Sequence, residues 1–147
     1  MQQVIERAGR PIEKKGNGPK NPMNEGPMRK QVRILVVDDC HSLRRTIALL
    51  IRSAGHTAIE AINGAEAIEI AKREKVDMII TDFNMPVMGG EDLILHMKRI
   101  DPTIPIAVVT ANEDRDVEPR LLGIGACKVI KKPFTSEDIQ GVIERNV

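Results

Sequence analysis

Tryptophan and tyrosine are absent from the 147 residues, and Phe83 and Phe134 are the only aromatic side chains. Single-stranded nucleic acid is commonly held by bases stacked on aromatic rings, so the composition argues against that mode of recognition. Cysteine is nearly as scarce. Cys40 and Cys127 form no CxxC pair, which fits free thiols in a reducing cytoplasm and excludes a disulfide scaffold. Cys40-His41 lacks the spacing of a metal pair. No run approaches the roughly 20 apolar residues of a membrane span, and the first residues lack the continuous apolar stretch of a signal peptide. Neither GxGxxG nor GxxxxGK[ST] occurs, which argues against a nucleotide- or flavin-binding module.

Charge is balanced overall but not along the chain. Residues 1–31 hold seven Lys/Arg against three Asp/Glu, while residues 32–147 hold fifteen against eighteen. The first segment also carries four Gly and four Pro, with Val4, Ile5 and Ile12 as its only aliphatics beyond Ala and Met. Such a segment buries too little surface to offset its ordering entropy. It reads as a disordered, mildly basic arm, and its excess charge as ordinary solvation rather than a nucleic-acid site.

From residue 32 onward, short apolar runs alternate with helical patterns. Strands are predicted at 33–37 (RILVV), 57–61 (TAIEA), 77–81 (DMIIT), 106–110 (IAVVT) and 128–132 (KVIKK). Helices are predicted at 42–55, 64–75, 91–100, 113–126 and 135–146. Leu43, Ile47, Leu50 and Ile51 share one face of the first helix; Ala67, Ile68 and Ala71 point inward from the second. Gly55 stops the first helix, and Thr135 or Ser136 caps the last. Pro119 and two glycines make the fourth helix the weakest pattern. Nearly continuous apolar strands separated by helices predict a parallel sheet covered on both faces, a doubly wound α/β domain over 32–147. Cys40 and Cys127 then fall at opposite ends of their strands, too far apart to bond. His56 and His96 read as surface residues.

A doubly wound sheet places ligands beyond the carboxyl ends of its strands. Those ends carry a complementary set. Asp38 and Asp39 follow the first strand, Asp82 the third, Thr110 ends the fourth, and Lys132 the fifth. Each has a bland reading alone: helix capping for the acid pair, solvation for Asp82, β-propensity for Thr110, surface charge for Lys132. Together they describe one site. Three close carboxylates repel one another unless a cation sits among them. Mg²⁺, or Mn²⁺ as a hard substitute, takes an oxygen shell that a loop carbonyl such as that of Asn84 would help complete. Metal, ammonium and hydroxyl together suit a phosphoryl group.

The blocks ILVVDDCHSLRR, MIITDFNMPVMGG, AVVTA and IKKPF resemble the signature blocks of response-regulator receiver domains, most closely the small chemotaxis-like single-domain type. They occur in order and at matching intervals across 32–147. The resemblance implies a flavodoxin-like (βα)5 three-layer sandwich with strand order 2-1-3-4-5. It implies that Asp82 accepts a phosphoryl group from a sensor histidine kinase. Asp39 would bind Mg²⁺ directly and Asp38 mainly through water, with Asn84 giving its main-chain carbonyl. Thr110 would shift to bond the phosphoryl and Lys132 would pair with it. The bond before Pro133 would be cis by the same analogy. Lys131 does not match the motif, and strand alternation turns it away from the site.

Two positions depart from the family pattern. Val129 stands where a switch Tyr or Phe is usual, and Gly89 where Asp is common. Asn84 and Asn112, each two residues past Asp82 and Thr110, would flank the phosphoryl and tune its lifetime. The implied function is a phosphorylatable switch rather than an enzyme with a separate substrate, docking an output partner near the fourth helix, fifth strand and fifth helix. A monomer is the default for such a switch. The alternative is a haloacid-dehalogenase-like phosphatase or phosphotransferase with an aspartyl nucleophile, but that family places its nucleophile after the first strand. A chain ending at Val147 is also expected to lack a C-terminal DNA-binding domain.

Overall fold

The computed structural model describes residues 30–147. The arm expected over residues 1–31 lies, apart from its last two residues, outside the described residues. Ten elements alternate strictly: β1 (Arg33–Val37), α1 (His41–Ser53), β2 (Thr57–Ala61), α2 (Gly64–Arg73), β3 (Met78–Asp82), α3 (Gly90–Ile100), β4 (Ile106–Thr110), α4 (Val117–Ile124), β5 (Lys128–Lys131) and α5 (Ser136–Asn146). The five strands form one parallel sheet in the order β2-β1-β3-β4-β5, as predicted.

Alternation along the strands builds two cores. Ile34 and Val36, Met78 and Ile80, and Ala107 and Val109 pack against α1 and α5 through Ile47, Ile51, Ile139 and Ile143. Leu35 and Val37, Ile79, and Ile106 and Val108 pack against α2, α3 and α4 through Ile68, Leu93, Met97 and Leu121. Every residue of β3 and β4 is buried, as a strand covered on both faces requires. Each large side chain fully removed from water contributes about 1.5–3 kcal/mol. No helix among the described residues is long and apolar enough to cross a membrane.

Helix ends differ from the sequence reading where polar side chains intervene. The N-cap of α1 is Cys40, which makes no side-chain cap bond, so neither Asp38 nor Asp39 caps that helix. The helix ends at Ser53, and Gly55 follows with φ +93°, a left-handed conformation that glycine adopts without strain. Asn63 caps α2 by accepting the Glu66 N–H, and Glu66 accepts the Ile62 N–H in return. Thr135 caps α5 in a reciprocal box with Asp138.

The largest difference is α4, which starts at Val117 rather than near residue 113. The preceding residues form a ladder of side-chain to backbone bonds instead. Thr110 Oγ1 accepts the Asn112 N–H at 2.9 Å, Asn112 Oδ1 the Asp114 N–H at 2.8 Å, and Asp114 Oδ1 the Asp116 N–H at 3.0 Å. Short polar side chains that bind their own backbone in this way compete with helix formation. Pro119 falls in the first turn of α4, where its missing N–H costs nothing.

Candidate functional site

The sheet delivers the site. Val37 of β1 pairs with Thr81 of β3, so the next residue on each strand, Asp38 and Asp82, emerges side by side at the carboxyl end. Here β1 lies between β2 and β3, and the flanking connections leave over opposite faces, which opens a crevice. Oxygens of Asp38, Asp39 and Asp82 lie within 4.8 Å of one another. Asp38 and Asp82 are buried, and Asp39 is exposed. An all-carboxylate set at this spacing suits a hard cation such as Mg²⁺ or Mn²⁺ rather than a softer metal.

Asp38 and Asp82 are held by their surroundings. The Asp38 N–H donates to the Ala61 carbonyl at 3.1 Å, and Asp38 Oδ1 accepts the Cys40 N–H at 2.9 Å. Burial pushes the Asp38 carboxyl above the usual aspartate range; the Cys40 N–H counters this, and the nearby Asp82 charge adds to it. Asp82 is seated from behind by α3. The Gly90 N–H donates to the Phe83 carbonyl at 2.9 Å. A β-carbon at Gly90 would stand 2.6 Å from the Asp82 carbonyl oxygen and 3.2 Å from Phe83 Cα.

Lys132 reaches the cluster from the far side, with Nζ 3.0 Å from Asp82 Oδ1. Its backbone N–H donates to the Thr110 carbonyl at 2.9 Å, which ties the end of β5 to β4. Lys131 is exposed. The Lys132–Pro133 peptide is cis. Thr110 is buried at the end of β4, its hydroxyl occupied by the Asn112 N–H. Asn84 lies exposed in the loop after β3, and Val129 is buried in β5. In the same loop the Met88 N–H donates to the Pro86 carbonyl at 2.8 Å across Val87, which stands at φ +73°.

Residues 34–144 match the response regulator receiver domain family. The chain belongs to that family. It is a receiver domain of two-component response regulators, a family in which phosphorylation and Mg²⁺ binding are general features and whose members interact with histidine kinases and output domains. It is 30% identical over 124 residues to the chemotaxis protein CheY-3 of Vibrio cholerae, covering 82% of this chain and 95% of that one. It is 28% identical over 113 residues to sporulation initiation phosphotransferase F of Bacillus subtilis, covering 77% and 91%. Against the DNA-binding transcriptional regulator NtrC of Escherichia coli it is 31% identical over 114 residues, covering 78% of this chain but 24% of that one. This receiver domain therefore resembles both nearly whole small proteins and one part of a larger one. The solved structure of Vibrio cholerae CheY4 superposes with a TM-score of 0.75 at 28% identity, covering 80% of this chain and all of that one. The haloacid-dehalogenase alternative gains no support: its nucleophile would follow the first strand, whereas Asp82 closes the third.

The sequence reading missed Arg44, a buried arginine of α1 that contacts Glu60 and the Asp38 backbone. It also took His56 for a plain surface residue; His56 is half-buried, and its Nδ1 accepts the Val32 N–H at 3.2 Å.

Proposed function

We propose that Asp82 is the phosphoacceptor of a two-component switch, phosphorylated by a sensor histidine kinase. The observation that carries this reading is the placement of Asp82 between two other carboxylates, within 4.8 Å, and the Lys132 ammonium at 3.0 Å. An Asp82 oxygen attacks the phosphorus of a phosphohistidine; the P–N bond breaks, imidazole leaves, and an acyl phosphate forms. Water later cleaves that phosphate and regenerates the carboxylate. Asp38, Asp39, Asp82 and the main-chain carbonyl of Asn84 would hold Mg²⁺ or Mn²⁺. Bound there, the cation supplies charge neutralisation for phosphoryl oxygens. Lys132 supplies a further fixed positive charge.

Thr110 would exchange the Asn112 N–H for a phosphoryl oxygen, to which its hydroxyl donates. With Val129 in place of an aromatic residue, that movement passes to α4 through the loop bonds of Asn112 and Asp114 rather than through a ring flip. The surface around α4, β5 and α5 would then change its affinity for an output protein. Asn84 and Asn112 would set how long the phosphoryl survives. The protein assists its own phosphorylation and hydrolysis and works as a cytoplasmic monomer.

Beryllofluoride with Mg²⁺, added to the wild type and to Asp82→Asn and followed by NMR, tests this reading. A metal-dependent shift of the residues around Thr110 in the wild type alone supports it. No response in the wild type overturns the switch while leaving the fold intact.

A further inference from the structure

The buried polar or charged side chains among the described residues are Asp38, Arg44, Thr81, Asp82 and Thr110. Four occupy the last two positions of a sheet strand or directly follow one. Arg44 does not: it projects from the first turns of α1, in line with the buried stripe of Ile47, Ala48 and Ile51. A guanidinium in that place is costly unless its donors are matched.

They are matched by a specific set. Arg44 Nε donates to Glu60 Oε1 at 3.0 Å, Nη1 to the Asp38 carbonyl at 2.9 Å, and Nη2 to His41 Nδ1 at 3.0 Å. Glu60 stands opposite Val36 on the neighbouring strand β2. It is held further by Arg45 Nη1 at 2.8 Å and Arg52 Nη2 at 3.7 Å. Glu60 is thus fixed by α1 and by the sheet, and it fixes the rigid fork of Arg44.

That fork ends on the one carbonyl that matters here. The parallel ladder between β1 and β3 stops at Val37. Asp38 is the next residue, and its carbonyl faces the turn that carries both Asp38 and Asp39. Its N–H is held by Ala61 of β2, and its C=O by Arg44. Arg44 therefore continues the order of the sheet one residue beyond its last ladder bond. We propose that Arg44, braced by Glu60, is a positioning residue that sets the Asp38–Asp39 turn for cation binding. This rests on reading Asp38, Asp39 and Asp82 as a divalent-cation site.

Groups that orient metal ligands from behind change metal affinity about 10–100-fold when removed. The test is an Mg²⁺ titration of folded protein, followed by amide NMR shifts, for the wild type, Arg44→Met and Glu60→Gln. Arg44→Met should weaken Mg²⁺ binding by about tenfold or more, and Glu60→Gln by a smaller factor. In metal-free protein the Cys40 amide, held by Asp38, should exchange faster with solvent in both variants. Phosphorylation by acetyl phosphate should fall at limiting Mg²⁺ and recover at saturating Mg²⁺, a change in cation requirement rather than in maximal rate. Lower unfolding stability with unchanged Mg²⁺ affinity would overturn the proposal and leave Arg44 a packing residue. Should Arg44→Met fail to fold, Glu60→Gln decides, because it keeps the guanidinium and takes only the charge from its brace. A wild type that binds no Mg²⁺ would overturn the cation-site reading itself, and the role of Arg44 with it.

Discussion

Lys132 Nζ lies 3.0 Å from Asp82 Oδ1, joining the end of β5 to the end of β3 across the intervening strand β4. In the metal-free protein this ammonium offsets part of the repulsion among Asp38, Asp39 and Asp82. Lys132→Met should therefore bind Mg²⁺ severalfold more tightly, because the cluster keeps all its negative charge. The same variant should accept a phosphoryl from acetyl phosphate about 10²-fold more slowly, because a donor aimed at the developing charge is gone. Metal titration and phosphorylation rates separate the two effects. Weaker Mg²⁺ binding would show instead that Lys132 organises the acids.

Glu60 makes acid stability depend on α1. Burial alone would raise its carboxyl, but hydrogen bonds from Arg44 and Arg45 outweigh this and hold it below the usual glutamate range. As pH falls, the unfolded chain therefore takes up this proton before the folded one does. The stabilisation is complete above about pH 4.3 and is lost as pH falls through the lower folded value. Glu60→Gln should cost about 1.5–3 kcal/mol at neutral pH and flatten that part of the acid profile. Urea unfolding measured across the acid range reads both changes.

Val87 is a β-branched residue at φ +73°, and it is 82% exposed. Left-handed backbone costs a residue with a β-carbon about 1–2 kcal/mol, and no packing offsets it here. Val87→Gly loses about 0.5–1 kcal/mol through greater chain entropy. The net expectation is a gain of up to about 1.5 kcal/mol, read as a higher urea midpoint with an unchanged slope. A lower midpoint would mean that the valine side chain makes a contact that holds the loop.

Asn112 is tied to Thr110 through its N–H and to Asp114 through its side chain. If its amide also orients the attacking water, Asn112→Ala should lengthen the phosphorylated lifetime by on the order of tenfold, below the usual effect of a positioned acid or base. Asn112→Asp preserves the acceptor for Asp114 and adds a charge beside the phosphoryl. An unchanged lifetime in both variants would remove Asn112 from the chemistry and leave it a loop residue.

Strand positions were legible because β1, β3 and β4 are short, nearly continuous apolar runs, and the residues that matter sit at strand ends. Asp38, Asp82, Thr110 and Lys132 could be placed on one rim by counting strand ends. The helices were less legible wherever side chains bind nearby backbone. Asn112 and Asp114 consume the turn that the prediction of a helix over 113–126 assigned to α4, and Cys40 rather than an acid precedes α1. Arg44 left a local signal that went unread: it stands three, four and seven residues before Ile47, Ala48 and Ile51, on the buried face of α1. In the sequence it is one of two adjacent arginines, and its burial depends on Glu60, sixteen residues later on a different element. Periodicity puts position 44 on the buried face; it is blind to the partner that the fold brings to a charge there.

Gly90 contributes no chemistry, yet the backbone behind Asp82 leaves no room for a methyl group. The oxygen and the α-carbon that a β-carbon would meet belong to the main chain, so no rotamer change can relieve the crowding. The seat of α3 is thus a machining tolerance, set to a fraction of an ångström by a missing atom. In a library of variants screened for signalling, position 90 should be as intolerant as position 82. The two failures would differ in kind: one chain lacks the acid, and the other still has it but carries it out of true.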